Sequence, residues 1–297
     1  VKRIVKTGVL AAAATAGFAL FAYRVADWSR GMDSEIVVLG QAGEPGTCPA
    51  DATGTAAVRT IKIIPQIAVD SFDGGLAKYS TFIQIINTGE TSQSIAGAFY
   101  KQDGTPLDNV TLTAGQATIT NGVVEPASIP KNGTLVISGG GTTKAGVLGW
   151  GRLALCGALI VSTFFELRDG RSNVLYSRVA VAASPANMSS FVIPRIRDVA
   201  AGLDVGLALV NTALDGSATL TAELKDAAGN TLATKDIPMQ GRSQKSLFTR
   251  EIFPSLVEDR GRNYQYLKFS SASSVFAASA LSYEGPTLTS FPVEALQ

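Results

Sequence analysis

From residue 59 onward the chain alternates apolar and polar positions with a period of two, broken roughly every 8 to 15 residues by Gly, Asn or Asp. This pattern predicts strands at 59–67, 79–87, 94–102, 107–113, 134–138 and 173–182, with the most apolar stretch at 147–167. Pro65 lacks an N–H and confines the first strand to an edge or a strand end. The cluster Thr88, Gly89, Glu90 predicts a hairpin, Asp103 with Gly104 and Arg168 with Asp169 and Gly170 predict turns, and 70–75 reads as a polar loop. A polar excursion at 114–128 is either a decorated loop or an extra hairpin.

The phrase Ile64, Pro65, Gln66, Ile67 followed by an apolar run returns as Ile193, Pro194, Arg195, Ile196, and Phe291, Pro292, Val293 repeats it once more. Strands predicted at 205–211, 219–225, 231–237, 243–248, 264–270, 275–283 and 287–293 follow the order of the first set, with 114–128 as the insertion. Thr249 is placed to cap a short helical turn that Pro254 stops. Repetition of the whole order predicts a duplication, with one β-sandwich domain at 59–184 and another at 190–297.

Residues 1–30 have a different pattern. Lys2, Arg3 and Lys6 precede an uncharged run from Thr7 to Tyr23, about 17 residues or about 26 Å as a helix, the lower limit for crossing a bilayer core. Basic residues before the run place the N-terminus in the cytoplasm. A cleaved signal peptide and a retained anchor compete; poor cleavage sites at Ala22 and Ala26, and Tyr23 and Trp28 as an interfacial belt, favour the anchor. Gly8, Ala12 and Ala16, with Ala13 and Gly17 on a neighbouring line, would let another transmembrane helix approach closely. Residues 31–58 read as a linker containing Cys48. The only other cysteine, Cys156, lies in apolar strand material, and in an oxidising compartment the two would close one disulfide pinning the linker to the first domain.

Composition narrows the chemistry. The 297 residues accommodate two domains, 46% are hydrophobic against 16% charged, and the formal net charge of +1 gives no field to gather nucleic acid. No histidine is present, which removes Ser/His/Asp and Cys/His nucleophile systems and most catalytic zinc sites. The remaining candidates are each better read as structure. Gly139 to Gly141 with Lys144 lacks the Gly-Lys-Ser/Thr ending of a phosphate loop. Asp70 and Asp73 with Gly74 and Gly75 lack the acidic register of a calcium loop. Glu166, Asp169 and Glu284 would need a cleft to act as paired carboxylates. Asn109, Asn132 and Asn187 occupy glycosylation sequons. Tyr79, Phe99, Tyr100, Trp150, Phe164 and Phe165, like Tyr264, Tyr266 and Tyr283, read as packing rings, although a surface row of them would make a sugar platform.

The two units resemble the tandem Ig-like or fibronectin-like sandwich repeats of bacterial secreted and cell-envelope proteins. The strand ends Asn87, Thr88 and Asn211, Thr212, and the turns at Gly133 and Gly241, carry the resemblance. It implies a binding or spacing role without catalytic residues. The expectation is therefore an all-β, non-enzymatic protein: two tandem antiparallel β-sandwich domains behind one N-terminal transmembrane helix. It would face the periplasm as an accessory or stabilising subunit of a larger inner-membrane complex, respiratory or photosynthetic for example, with membrane-protein subunits and the bilayer as partners and no cofactor. A secreted adhesin or carbohydrate-binding module with a cleaved leader is the alternative, and a carboxylate hydrolase ranks last.

Overall fold

The computed structural model describes residue 48 and residues 59–108, 112–115, 117–139, 145–185, 187–197, 202–254, 263–273 and 275–296. The first half contains β1 (Arg59–Phe72), β2 (Ala77–Asn87), β3 (Gln93–Lys101), β4 (Leu112–Ala114), β5 (Ile119–Thr120), β6 (Val123–Ile129), β7 (Thr134–Gly139), β8 (Val147–Cys156), β9 (Leu159–Asp169), β10 (Leu175–Ala182) and β11 (Ser184–Pro185). The second contains β12 (Ser190–Arg197), β13 (Leu203–Asn211), β14 (Ser217–Lys225), β15 (Thr231–Gln240), β16 (Gln244–Phe248), the one-turn helix α1 (Thr249–Ile252), β17 (Asn263–Ser270), β18 (Phe276–Glu284), β19 (Thr287–Phe291) and β20 (Glu294–Ala295).

All pairings between these strands are antiparallel, and the same strand order occurs in both halves. In the first half one layer runs β11-β1-β8-β3-β6-β5 and the other β10-β9-β2-β7-β4; β1 joins them by pairing Asp70 to Phe72 with β2, so the set nearly closes into a barrel. In the second half the sheets run β20-β12-β17-β14-β15 and β19-β18-β13-β16. Position by position, β12, β13, β14, β15, β16, β17 and β18 stand where β1, β2, β3, β6, β7, β8 and β9 stand. Each half has its own core between its layers, one around Ile64, Ile83, Ile95 and Leu153, the other around Phe191, Leu207, Leu220 and Leu267.

The repeated Asn-Thr pair explains how the layers are held together. Asn87 donates its side-chain N–H groups to the carbonyls of Thr91, Ile129 and Pro130 and accepts from Gly89 N, while Thr88 N and Oγ1 both donate to Ala158 O. Asn211 donates to Met239 O and accepts from Ala213 N, while Thr212 N and Oγ1 both donate to Val275 O. In each half the Asn ties down the turn that opens β7 or β16, and the Thr ties down the turn between β8 and β9 or between β17 and β18. A short amide and a hydroxyl thus satisfy carbonyls that turn away from the ladders.

The halves meet face to face. The outward side of β1 and β8 (Ile61, Ile63, Trp150) with Tyr100 packs against Val210 and Ala277, and Leu281, Tyr283 and Leu288 cover the end of the first core at Phe72, Tyr79, Phe165 and Val179. Trp150 is 1% exposed, stacks on Tyr100 at 4.6 Å and donates its indole N–H to Arg242 O at 2.8 Å. The amide of Gln244 donates to Pro65 O and Gln66 Oε1, both at 2.8 Å, and Ser246 Oγ donates to Gln66 Oε1 at 2.9 Å. Strands at this seam bury both faces, which is why 147–156 reads as a continuous apolar run instead of alternating.

Several sequence expectations change. Pro65 is not at a strand end: β1 runs on to Phe72, and the proline sits in a bulge where the register with β8 shifts between Ile64 and Ile67, on a stretch whose other side has no described strand between the β11 pairing at Ile63 and the β2 pairing at Asp70. That bulge turns Gln66 outward into the seam. In the second copy the pairing of β12 with β17 is unbroken and Arg195 is buried, so the same phrase serves two purposes. Asp70 is 1% exposed within β1, not in a solvated loop. The Thr88, Gly89, Glu90 cluster makes no hairpin, since β2 and β3 belong to opposite layers and the chain arches between them. The stretch 147–167 divides into β8 and β9 at Gly157, where φ is +88°, so Cys156 ends a strand instead of lying within one. Of the strand expected at 107–113, the described residues show the start of the short β4, and residues 109–111 lie outside them. The excursion contains an Asn121-Gly122 hairpin between β5 and β6, and β6 has its counterpart in β15; only β4 and β5 are additions, lining the sheet edges at β7 and β6. Thr249 is the first residue of α1, not its cap; its hydroxyl donates to Asp204 Oδ1 at 2.6 Å, and Glu251 accepts from Phe248 N.

Candidate interaction surface

On β2 and β9 the residues out of phase with the first core are, from Phe82 to Ile86 and from Ile160 to Phe164, apolar apart from Gln84 and Ser162, which leaves an uncharged outer face there. Register places Ala180, Phe164, Phe82 and Ser138 in one row across β10, β9, β2 and β7. Ala182, Ser162, Gln84 and Val136 form the next row, and Ile160, Ile86 and Thr134 the last. Phe82, Ile86 and Phe164 are half-buried, whereas Ile160 is 53% and Val136 43% exposed. Sequence reasoning missed this face. The signal was present in Phe82 with Ile83 and in Ile160 with Val161, adjacent apolar residues that cannot both enter one core.

One end of the face carries charge. Glu166 is buried and accepts from Arg178 Nε at 2.8 Å and from Arg168 Nε and NH2 at 3.1 and 2.8 Å; Lys78 stands in register with Arg168. Burial raises the Glu166 pKa, but the hydrogen bonds from Arg178 and Arg168 outweigh it and hold the carboxyl below its ordinary value. Asp169 faces the turn that follows. It accepts from Tyr176 Oη, Ser172 N and Oγ, and Arg171 N, and these hold it far below the carboxylate range. Both carboxylates therefore serve as fixed acceptors, and Glu284 lies on β18 in the other half.

The lowered Glu166 pKa gives a pH prediction. A depressed carboxyl contributes stability above its unfolded pKa and loses it as pH falls through the folded value. Glu166→Gln is expected to cost about 1–2 kcal/mol at pH 7, reduced by the solvent exposure of Arg178. The difference from wild type should shrink as pH falls below the ordinary glutamate value of about 4.5 and through the lowered folded value, in urea melts run at successively more acidic pH.

Other sequence candidates are dispersed. Tyr79, Phe99, Trp150 and Phe165 are buried, and among the described residues the rings in the rows of the outer face are Phe82 and Phe164. Gly139 closes β7; residues 140–144, including Lys144, lie outside the described residues, as do Asn109, Gly8, Ala12, Ala13, Ala16, Gly17, Tyr23 and Trp28. Asn132 and Asn187 are exposed with φ of +57° and +68°. Asp73 opens a 3-10 turn, and among the described residues no group of three or more Cys, Asp or Glu is placed to hold a metal ion. No described helix is long and apolar enough to cross a membrane.

A second candidate lies at the seam, a small open cleft of about 30 Å³ lined by Gln66, Gly206, Ala208, Ser246, Phe248 and Tyr283 among others. Burial pushes the Tyr283 phenol up to about 12, against a hydrogen bond with Tyr79. A Cβ on Gly206 would come within 2.8 Å of the Tyr283 ring, so the glycine makes room for it. Beyond the cleft, Asp204, Thr249 and Arg195 form a buried chain, with Arg195 Nε donating to Thr249 Oγ1 at 3.0 Å.

Cys48 is bonded to Cys156, with their Cα atoms 5.4 Å apart. The bond spans 108 positions, and closing so long a loop restricts the unfolded chain, so Cys48→Ser is expected to cost about 2–5 kcal/mol. Denaturant midpoints of the oxidised and variant proteins measure this. None of the family models, curated proteins and solved structures compared with the chain matches it.

Proposed function

We propose that the chain is a non-enzymatic binding subunit: two tandem Ig-like sandwiches held at the bacterial inner membrane by an N-terminal helix, facing the periplasm and stabilising a larger membrane complex. The observation that carries this reading is the uncharged outer face of β10, β9, β2 and β7. An uncharged face with Phe82, Phe164, Ile160 and Val136 on it is of the size at which surface patches often serve as contact sites. The disulfide fits an oxidising compartment, and the two carboxylates nearest the face are engaged in ion pairs and turn hydrogen bonds instead of converging on a cleft. Burial of Tyr79, Phe99, Trp150 and Phe165 removes most of the rings a carbohydrate platform would use, and the half-buried pair Phe82 and Phe164 is what that alternative would rest on.

The test is the native size of the protein extracted from its own membrane in mild detergent. Comigration with stoichiometric membrane subunits is the expected result; a lone monomer, or a mature N-terminus beginning near Tyr23 or Asp27, would sink the proposal.

A further inference from the structure

We infer that the outer face of β10, β9, β2 and β7 seats a single uncharged helix face of a partner, its C-terminus towards Arg178; this rests on the subunit reading above. The face is four strands wide and three rows long beyond the Glu166 row. Strand spacings of about 4.8 Å and steps of about 6.8 Å make it about 14 Å by 20 Å, on the order of 300 Å². A second copy closing sheet on sheet needs about 800 Å² from each partner, more than twice what is present. A helix about 10 Å across and about 13 residues long runs the full length of the face and covers about two thirds of its width.

The rows also constrain the helix chemically. Between Phe82 and Ile86 on β2, and between Ile160 and Phe164 on β9, no outward residue is charged, so a Lys or Glu on the docked side would lose water without gaining a partner. Orientation comes from the far end. Arg178, whose side chain is 56% exposed, stands there with Arg168 and Lys78 around the one buried carboxylate Glu166, while the opposite end is formed by Ile160, Ile86 and Thr134. The excess positive charge favours the negative end of a helix dipole and any acidic residue that follows it.

The probe is a pair of labelled 14-residue amphipathic peptides with Leu and Ala on one face, one ending in Asp-Glu and the other in Lys-Lys, titrated against the full chain by fluorescence anisotropy. The acidic peptide is expected to bind at least about 5-fold more tightly. Ile160→Asp with Val136→Asp should weaken it at least about 10-fold while the variant still melts in a cooperative transition, because both side chains are about half exposed and outside the first core. Hydrogen exchange should slow on β2, β7 and β9 when peptide is added. No binding, equal binding by the double variant, protection located elsewhere, or a concentration-dependent dimer that Ile160→Asp dissolves would each overturn the inference. If the double variant still enters the native assembly, the face is discarded and the subunit reading stands; a lone wild-type monomer in the membrane removes that reading itself.

Discussion

Trp150→Ala is expected to lower stability by about 4 kcal/mol and to divide one melting transition into two. The indole is 1% exposed and lies among Ile63, Val210 and Ala277, with Tyr100 stacked on it. Its removal creates a cavity at the centre of the contact between halves and leaves Arg242 O without its donor. Each half keeps its own core, so the loss falls on the coupling between them. Calorimetry separates the cases: two transitions, or one broadened below the calorimetric criterion, are expected, whereas a single sharp transition merely shifted downward would show that the seam does not hold the halves together. Trp150→Phe keeps most of the volume and loses the hydrogen bond, and should cost about 1–2 kcal/mol without the split.

Asn87→Ala is expected to cost about 3 kcal/mol, and Asn211→Ala somewhat less. Asn87 is 1% exposed and serves three carbonyls with its N–H groups while accepting from Gly89 N; Asn211 is 0% exposed but has one carbonyl, Met239 O, beside its bond from Ala213 N. Alanine leaves these buried backbone groups unpaired, at about 1–3 kcal/mol each before water and local relaxation recover part of it. The conservative variant decides the mechanism. Asn87→Asp keeps the volume and the acceptor but turns an anion towards three carbonyl oxygens, so it should be at least as damaging as alanine. A mild Asn87→Asp in chemical denaturation would show that side-chain size, not amide donation, is what the site needs.

Much of the architecture was legible because it depends on local chemistry. Strict alternation marked most strands, and the Asn-Thr pairs and the turns at Gly133 and Gly241 marked equivalent places in the two halves, since a buried carbonyl needs the same donor wherever the same turn recurs. The cysteine pair followed from there being only one partner available. What was misread depends on which layer a strand joins. Thr88, Gly89, Glu90 has the composition of a hairpin, but turn residues are equally suited to an arch between sheets, and only the pairing of β3 with β8 distinguishes them. Pro65 lies inside a strand for a related reason: a missing N–H is tolerated at a bulge with one side unpaired as well as at a strand end.

The candidate face was less legible. Phe164 and Phe165 look alike in sequence, yet one points into the first core and the other away from it, and that parity is set by the register of β2 against β9. Apolar residues in both phases also occur at β8 and β18, where the second phase is buried at the seam. By itself the sequence determined an all-β chain, its internal repetition, its cysteine pairing and its lack of histidine chemistry, because these follow from residue type and local spacing. Only the tertiary structure decided which doubly apolar strands are covered by the other half and which remain open, because coverage depends on contacts between residues more than a hundred positions apart, such as Trp150 with Ala277.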